Sequence, residues 1–235
     1  MRLRKWDNLP AYMQNEAIKP YYDVLAGREI SLLLKRFFDF TVSFILLILL
    51  IPVFIIIAIA VKRDSKGKVF FSQTRVTAYG KEFRILKFRT MVENAENKGP
   101  QITANMDARI TRVGKFLRKY RLDELPQLIN IIMGDMTFVG TRPEAPKYVK
   151  RYTDEMRATL LLPAGITSKA SIMFRDESEM LAGEKDVEEA YISKILPIKM
   201  KHNLEALKGF SFRSDIILIL QTVLSVWGTG HSKSK

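Results

Sequence analysis

FTVSFILLILLIPVFIIIAIAV, residues Phe40 to Val61, is a run of 22 residues without a charged side chain. As a helix rising ~1.5 Å per residue it reaches ~33 Å, enough to cross a hydrocarbon layer of ~30 Å. A core helix of a small soluble domain does not stay apolar on every face for six turns, so the stretch predicts a membrane segment. Ala58-Ile59-Ala60 has the small-x-small form of a signal-peptide cleavage site. The apolar run is too long for that reading, begins too deep, and is followed directly by basic residues.

The flanks complicate a simple span. Lys35 and Arg36 precede the run, and Lys62, Arg63, Lys66 and Lys68 follow it. Because basic residues favour the cytoplasmic side, both ends are expected there. Pro52 sits near the middle, where it removes a backbone hydrogen bond and kinks or breaks a helix. A helix that enters and returns satisfies both flanks; a kinked ordinary span is the alternative, since membrane helices tolerate proline. On composition alone both stay open.

Charge is concentrated just beyond. Of the net charge of +13 on 235 residues, +11 lies in residues 62–122, with sixteen Lys or Arg against five Asp or Glu. Such a surface calls for an anionic partner: phosphorylated substrates, acidic lipid or nucleic acid. The chain has no cysteine, which excludes disulfides, thiolate zinc sites and cysteine nucleophiles, and its only two histidines, His202 and His231, argue against a His-rich metal site or a His-centred triad. No P-loop, Rossmann glycine pattern or zinc spacing is present.

Residues 68–76 and 81–91 read as two strands of a hairpin around Tyr79-Gly80. Alternation puts Ile85, Lys87 and Arg89 on one face and Leu86 with Phe88 on the other. Asp107 is expected to cap a basic amphipathic helix with Ile110, Val113, Leu117 and Tyr120 on its apolar face. A second helix is expected to start at Asp123 as N-cap, with Pro126 in its first turn, to bury Leu125, Leu128, Ile129 and Ile132, and to stop at Gly134. Asp123 and Glu124 then stand at a helix N-terminus, where phosphate is favoured. Adjacent carboxylates cannot flank a glycosidic bond at ~5–9 Å, but they suit a nucleophile beside a metal-associated neighbour. Capping is the plainer role for Asp123. Residues 134–144 read as a strand and a tight turn that presents Arg142. Residues 210–227 are too short and too polar to span, and predict a helix lying at the interface or docked on the core, with Trp227 at headgroup level.

Five pieces of this sequence, in order, resemble the bacterial sugar transferases, the monotopic phosphoglycosyl transferases. They are Lys35-Arg36-Phe37-Phe38-Asp39, Lys87-Phe88-Arg89-Thr90-Met91, Leu122-Asp123-Glu124-Leu125-Pro126-Gln127, Gly134-Asp135-Met136 and Thr141-Arg142-Pro143. The resemblance covers residues 35–227. It implies a re-entrant helix broken at Pro52, and a catalytic domain half sunk in the cytoplasmic leaflet of a bacterial inner membrane. The implied reaction moves a sugar-1-phosphate from a nucleotide diphospho-sugar, UDP in the first instance, to polyprenyl phosphate, with Mg2+ and release of UMP. The resemblance makes Asp123 the nucleophile and Glu124 its metal-associated partner, both reaching Mg2+, and gives Lys87, Arg118, Arg142 and Arg175 cationic contacts to phosphate.

The family's Ser-Pro at the membrane break is Ile51-Pro52 here, its Pro-Arg-Pro is Thr141-Arg142-Pro143, and Ser168-Lys169-Ala170-Ser171 replaces Gly-Trp-Ala-Gln. The last change points to a distinct sugar or nucleotide pocket. A membrane-tethered nucleic-acid binder or scaffold would account for the charge but not for Asp123 and Glu124. Moreover, its stacking candidates Tyr79, Phe83, Phe88 and Tyr120 read as core, so no nucleic-acid partner is expected. The expected fold is α+β and mainly helical, with a short β-hairpin and interfacial amphipathic helices. It divides into an N-terminal extension (1–36), a re-entrant membrane helix (37–61), a catalytic domain (62–208) and a C-terminal interfacial helix with tail (209–235).

Overall fold

The computed structural model describes residues 1–95, 107–174, 180–181, 183–184 and 186–227. Two 3-10 turns, Trp6–Asn8 and Ala11–Met13, lead into α1 (Lys19–Ala26), α2 (Glu29–Leu49) and α3 (Ile51–Asp64). The hairpin strands β1 (Phe70–Val76) and β2 (Glu82–Phe88) follow, then α4 (Arg112–Lys119), a 3-10 turn Leu122–Glu124, α5 (Gln127–Met133) and β3 (Met136–Val139). The chain continues through α6 (Pro146–Val149), β4 (Ala164–Thr167), α7 (Lys169–Met173), α8 (Val187–Ala190), a π-turn Tyr191–Ile195, α9 (Leu196–Lys208) and α10 (Phe212–Trp227). The protein is mainly helical, as expected. Its antiparallel hairpin pairs Phe70 with Phe88 and Val76 with Glu82 across a turn in which Tyr79 is left-handed, φ 58°. A second, parallel pair joins β3 to β4, Met136 opposite Ala164, and nothing in the sequence announced it.

The apolar run breaks at Leu50. Pro52 lies in the first turn of α3, where its missing N–H costs nothing, and α2 and α3 meet at 62°. No single helix among the described residues is long and apolar enough to cross a membrane; only the bent pair together has that length and composition. The pair is inside out. Leu32, Lys35, Asp39 and Ser43, at helical spacing on α2, face the protein and are buried, while Phe37, Phe40, Phe44, Ile48, Ile51, Ile55 and Ile59 are exposed. The buried polar groups are satisfied, as burial demands. Lys35 Nζ donates to Val139 O (2.8 Å) and to Asp215 Oδ2 in α10 (2.6 Å), and Asp39 accepts from Thr137 Oγ1 (2.5 Å) and the Phe138 amide (3.2 Å). Arg36 caps α5, donating to Ile131 O (2.6 Å) and Ile132 O (2.9 Å).

Residues ahead of α2, to which the sequence assigned no role, are part of the core. Leu9, Met13, Ile18, Tyr21 and Leu25 pack with Leu161, Leu204 and Leu207. α10 is docked by Asp215 while Ile217, Leu220, Val223 and Leu224 stay exposed, in keeping with a helix docked on one side only. The side chain of Trp227 lies outside what the structure describes.

Three local expectations are corrected. Thr111, not Asp107, caps α4, its side chain accepting from the Gly114 amide; Asp107 instead folds back on Arg109, backbone and guanidinium together. Asp123 does not cap α5, which starts after Pro126 and buries Leu128, Asn130 and Ile131 instead of Ile129 and Ile132. Tyr120, expected in the core, is 45% exposed, whereas Phe83 and Phe88 are buried. Gly134 ends α5 in the left-handed region, φ 85°, as the sequence implied.

Candidate active site

Two turns and one strand bring the site together. β2 carries Lys87, the turn after β3 carries Arg142, and the 3-10 turn Leu122–Glu124 carries both carboxylates. Arg121, left-handed at φ 57°, reverses the chain as it leaves α4 and so points Asp123 and Glu124 inward. A left-handed non-glycine residue costs about 1 kcal/mol, and such strain gathers at functional sites. α4 can lie this close to the end of β2 only because Gly114 has no side chain, since a Cβ there would sit 2.1 Å from Thr90 O. That approach lets Arg118 Nε donate to Thr90 Oγ1 at 2.9 Å. Asn130 of α5 completes the frame: its amide donates to Arg84 O (2.9 Å) and accepts from the Leu86 amide (3.0 Å), replacing a neighbouring strand along β2 and setting the register of Lys87 against the turn Leu122–Glu124.

The two carboxylates differ. Glu124 Oε1 accepts from Lys87 Nζ (2.9 Å) and from Arg142 Nη2, and Oε2 accepts from Arg142 Nη1 (3.2 Å), so the arginine grips it as a fork. Burial opposes its ionisation, but Arg142 and Lys87 outweigh burial and hold the carboxyl well below its usual range. Asp123 is also buried, yet its Oδ1 accepts no hydrogen bond among the described residues. Burial pushes its carboxyl up; Lys87 pulls the other way and Glu124 adds to the rise. One member is fixed as a charged partner for cations and the other is left free, a division typical of sites that give two carboxylates two jobs.

A cleft of about 600 Å³ opens in front of Asp123. Eight Lys or Arg side chains line it against three carboxylates, and the charges of Lys87, Arg118, Arg121 and Arg142 act on Asp123 and Glu124. Arg175 lies outside the described residues. The structure therefore brings Lys87, Arg118 and Arg142 together around Asp123 and Glu124. Thr90, Arg121 and Asn130 were not singled out from the sequence; the left-handed Arg121 had no sequence signal, and Thr90 lay within a quoted motif. Gln127, one turn beyond Asp123, is fully buried, and neither of its side-chain polar atoms has a partner among the described residues. Among the described residues no three His, Cys, Asp or Glu side chains gather into a metal cage. The hard oxygens of Asp123 and Glu124 nevertheless fit a magnesium that takes most of its ligands from phosphates and water. The unpartnered Asp123 Oδ1 is available to it, and the occupied oxygens of Glu124 keep lone pairs.

Residues 30–229 match the profile of the family described as bacterial sugar transferase. The chain is 33% identical over 196 residues to the UDP-N-acetylgalactosamine-undecaprenyl-phosphate N-acetylgalactosaminephosphotransferase of Aeromonas hydrophila, covering 82% of this chain and 43% of that protein. It is 38% identical over 199 residues to the UDP-glucose:undecaprenyl-phosphate glucose-1-phosphate transferase of Klebsiella pneumoniae (83% and 40%), and 32% identical over 203 residues to the Caulobacter vibrioides protein of the same name (84% and 71%). It thus spans about two fifths of the length of the first two relatives. With an ordered set of motifs, a carboxylate pair inside a cationic cleft and a match over most of its length, the chain belongs to the bacterial sugar transferase family.

Proposed function

We propose that the protein transfers a sugar-1-phosphate from a UDP-sugar to polyprenyl phosphate at the cytoplasmic face of a bacterial membrane. The observation that carries this reading is the free, buried carboxylate of Asp123 beside a Glu124 held by Lys87 and Arg142, at the floor of a cationic cleft. The names of the relatives supply the donor and acceptor classes.

Asp123 attacks the phosphorus that bears the sugar. The bond from that phosphorus to the bridging oxygen breaks, its electron pair leaves with UMP, and an aspartyl phospho-sugar remains. An oxygen of polyprenyl phosphate then attacks the same phosphorus, the acyl-phosphate bond breaks, and Asp123 returns as a carboxylate. Covalent relay lets UMP leave before the lipid enters, so one small site serves two bulky substrates. Anion repulsion opposes both steps; Lys87, Arg118 and Arg142 offset it, and arginine suits planar phosphate contact. Magnesium, held by Asp123 and Glu124 with the diphosphate, would neutralise charge collecting on the departing phosphate.

The membrane reading rests on the inside-out helix pair: an apolar exterior around a satisfied polar interior has lipid as its natural solvent. Basic flanks at both ends favour a re-entrant path with both termini cytoplasmic. The test is mass spectrometry of the protein incubated with UDP-sugar and Mg2+ but no lipid acceptor. An adduct of sugar plus phosphate on the peptide containing Asp123, with UMP released, supports the reading; turnover by the Asp123→Asn protein at the normal rate overturns it.

A further inference from the structure

An exposed aromatic ring is out of place in a cleft built for phosphates. Phe70 is 47% exposed and lines the cleft that holds Asp123. It stacks on Phe88 (centroids 5.3 Å apart, planes at 23°), and Phe88, fully buried, meets Phe54 of α3 edge-on at 5.2 Å. Leu122 and Leu125, either side of the two carboxylates, pack into the same cluster with Val53 and Phe54. Phe70 is therefore the exposed edge, on the cleft, of an apolar cluster that runs inward through buried Phe88 to Phe54 of α3 and to the two leucines.

We infer that Phe70 is the seat of the first prenyl unit of the lipid acceptor, which packs on the exposed ring as the acceptor phosphate reaches Asp123. This deepens the proposed function and rests on it. Two features favour a hydrocarbon occupant. Phe70 and the cluster behind it offer only carbon, whereas a nucleobase would need partners for its polar edges. The cluster also backs onto α3, whose other face exposes Ile51, Ile55 and Ile59, apolar surface along which a long prenyl chain can leave.

The two half-reactions separate this site from the donor site. Full-length protein in detergent would be loaded with UDP-sugar and then discharged with undecaprenyl phosphate or with methyl phosphate, which has no tail. Phe70→Ala should load as fast as the unaltered protein yet need about tenfold more undecaprenyl phosphate for half-maximal discharge, the scale of losing one ring's apolar contact. Phe70→Leu, which keeps the hairpin's apolar packing, should fall between them, and discharge by methyl phosphate should not change. Slower loading by Phe70→Leu would assign the ring to the donor and overturn the inference. So would an equal loss with methyl phosphate, or no loss with either acceptor. If the unaltered protein fails to load at all, the transferase reading itself falls.

Discussion

Lys35 in α2 and Asp215 in α10 lie 180 positions apart in the chain and form a buried ion pair at 2.6 Å. The pair clasps the C-terminal helix to the bent helix pair, and the ammonium also holds β3 through Val139 O. Removing one partner of a buried pair strands the other charge, so Lys35→Met should cost about 3–5 kcal/mol. Replacing both, Lys35→Met with Asp215→Leu, should recover most of that loss. Thermal unfolding in one detergent compares the three proteins; a double variant as unstable as the single would show that the pairing is not what holds α10.

Asp123→Asn should lower UMP release by at least ~10³-fold, because a carboxamide cannot form the acyl phosphate; that is over ~4 kcal/mol at ~1.4 kcal/mol per decade. Loading of the unaltered protein should fall as pH drops through a value above the ordinary aspartate range, since burial raises this carboxyl and only its ionised form attacks. The same rise has a cost in stability. A carboxyl raised in the folded state binds its proton more tightly there, so folding is penalised as pH climbs from the unfolded to the folded value and beyond. Asp123→Asn should therefore melt higher than the unaltered protein at neutral pH, with the gain vanishing in acid.

Glu124→Gln should slow loading without abolishing the adduct, because the nucleophile survives while Lys87 and Arg142 lose the carboxylate they share. Arg142→Lys should cost less than Arg142→Ala, since the charge persists and only the fork is lost. Rates of UMP release across a magnesium titration check both, with Glu124→Gln needing more metal. Abolition of the adduct in Glu124→Gln would mean that the two carboxylates do not divide the work as proposed.

Gln127→Met should stabilise the protein. It nearly conserves volume and removes two buried polar atoms that have no partner among the described residues, each worth about 1–3 kcal/mol when left unsatisfied. A higher melting temperature with reduced turnover would mean that the amide is kept for function rather than for fold; a lower melting temperature would mean that it is satisfied in solution.

Features encoded within a few residues could be read directly. Tyr79-Gly80 turned the hairpin, Gly134 stopped α5, and Pro52 marked the break, each because one residue's backbone preference decides its own position. Asp123 and Glu124 stood out through the order of surrounding motifs, not through any property of a lone Asp-Glu pair. Features whose partner is distant could not be read. Asn130 looked like one polar residue in an apolar helix, and its use as a substitute strand depends on where β2 runs. Asp107 suits an N-cap, but Thr111 lies closer to the helix and takes the role. Of the apolar residues before α2, Leu9 and Met13 sit in short turns and follow no period. Ile18, Tyr21 and Leu25 recur at helical spacing but are placed in the core only by distant Leu161, Leu204 and Leu207. β4 has four residues and no alternation, and only β3 beside it makes it a strand.

Arg36 closes the last turn of α5, and Leu122 and Leu125 pack on the cluster built on α3, so the turn Leu122–Glu124 stands at a constant height over the helix pair. If the proposed function holds and that pair is seated in lipid, an acceptor phosphate carried on a prenyl anchor arrives at the same level. The search for it is then a walk in a plane instead of a volume, and the concentration that governs the second half-reaction is moles per area of bilayer. Adding buffer to a fixed mixture of protein, vesicles and acceptor should leave discharge of the loaded protein unchanged, whereas adding acceptor-free lipid that fuses with those vesicles should slow it in proportion.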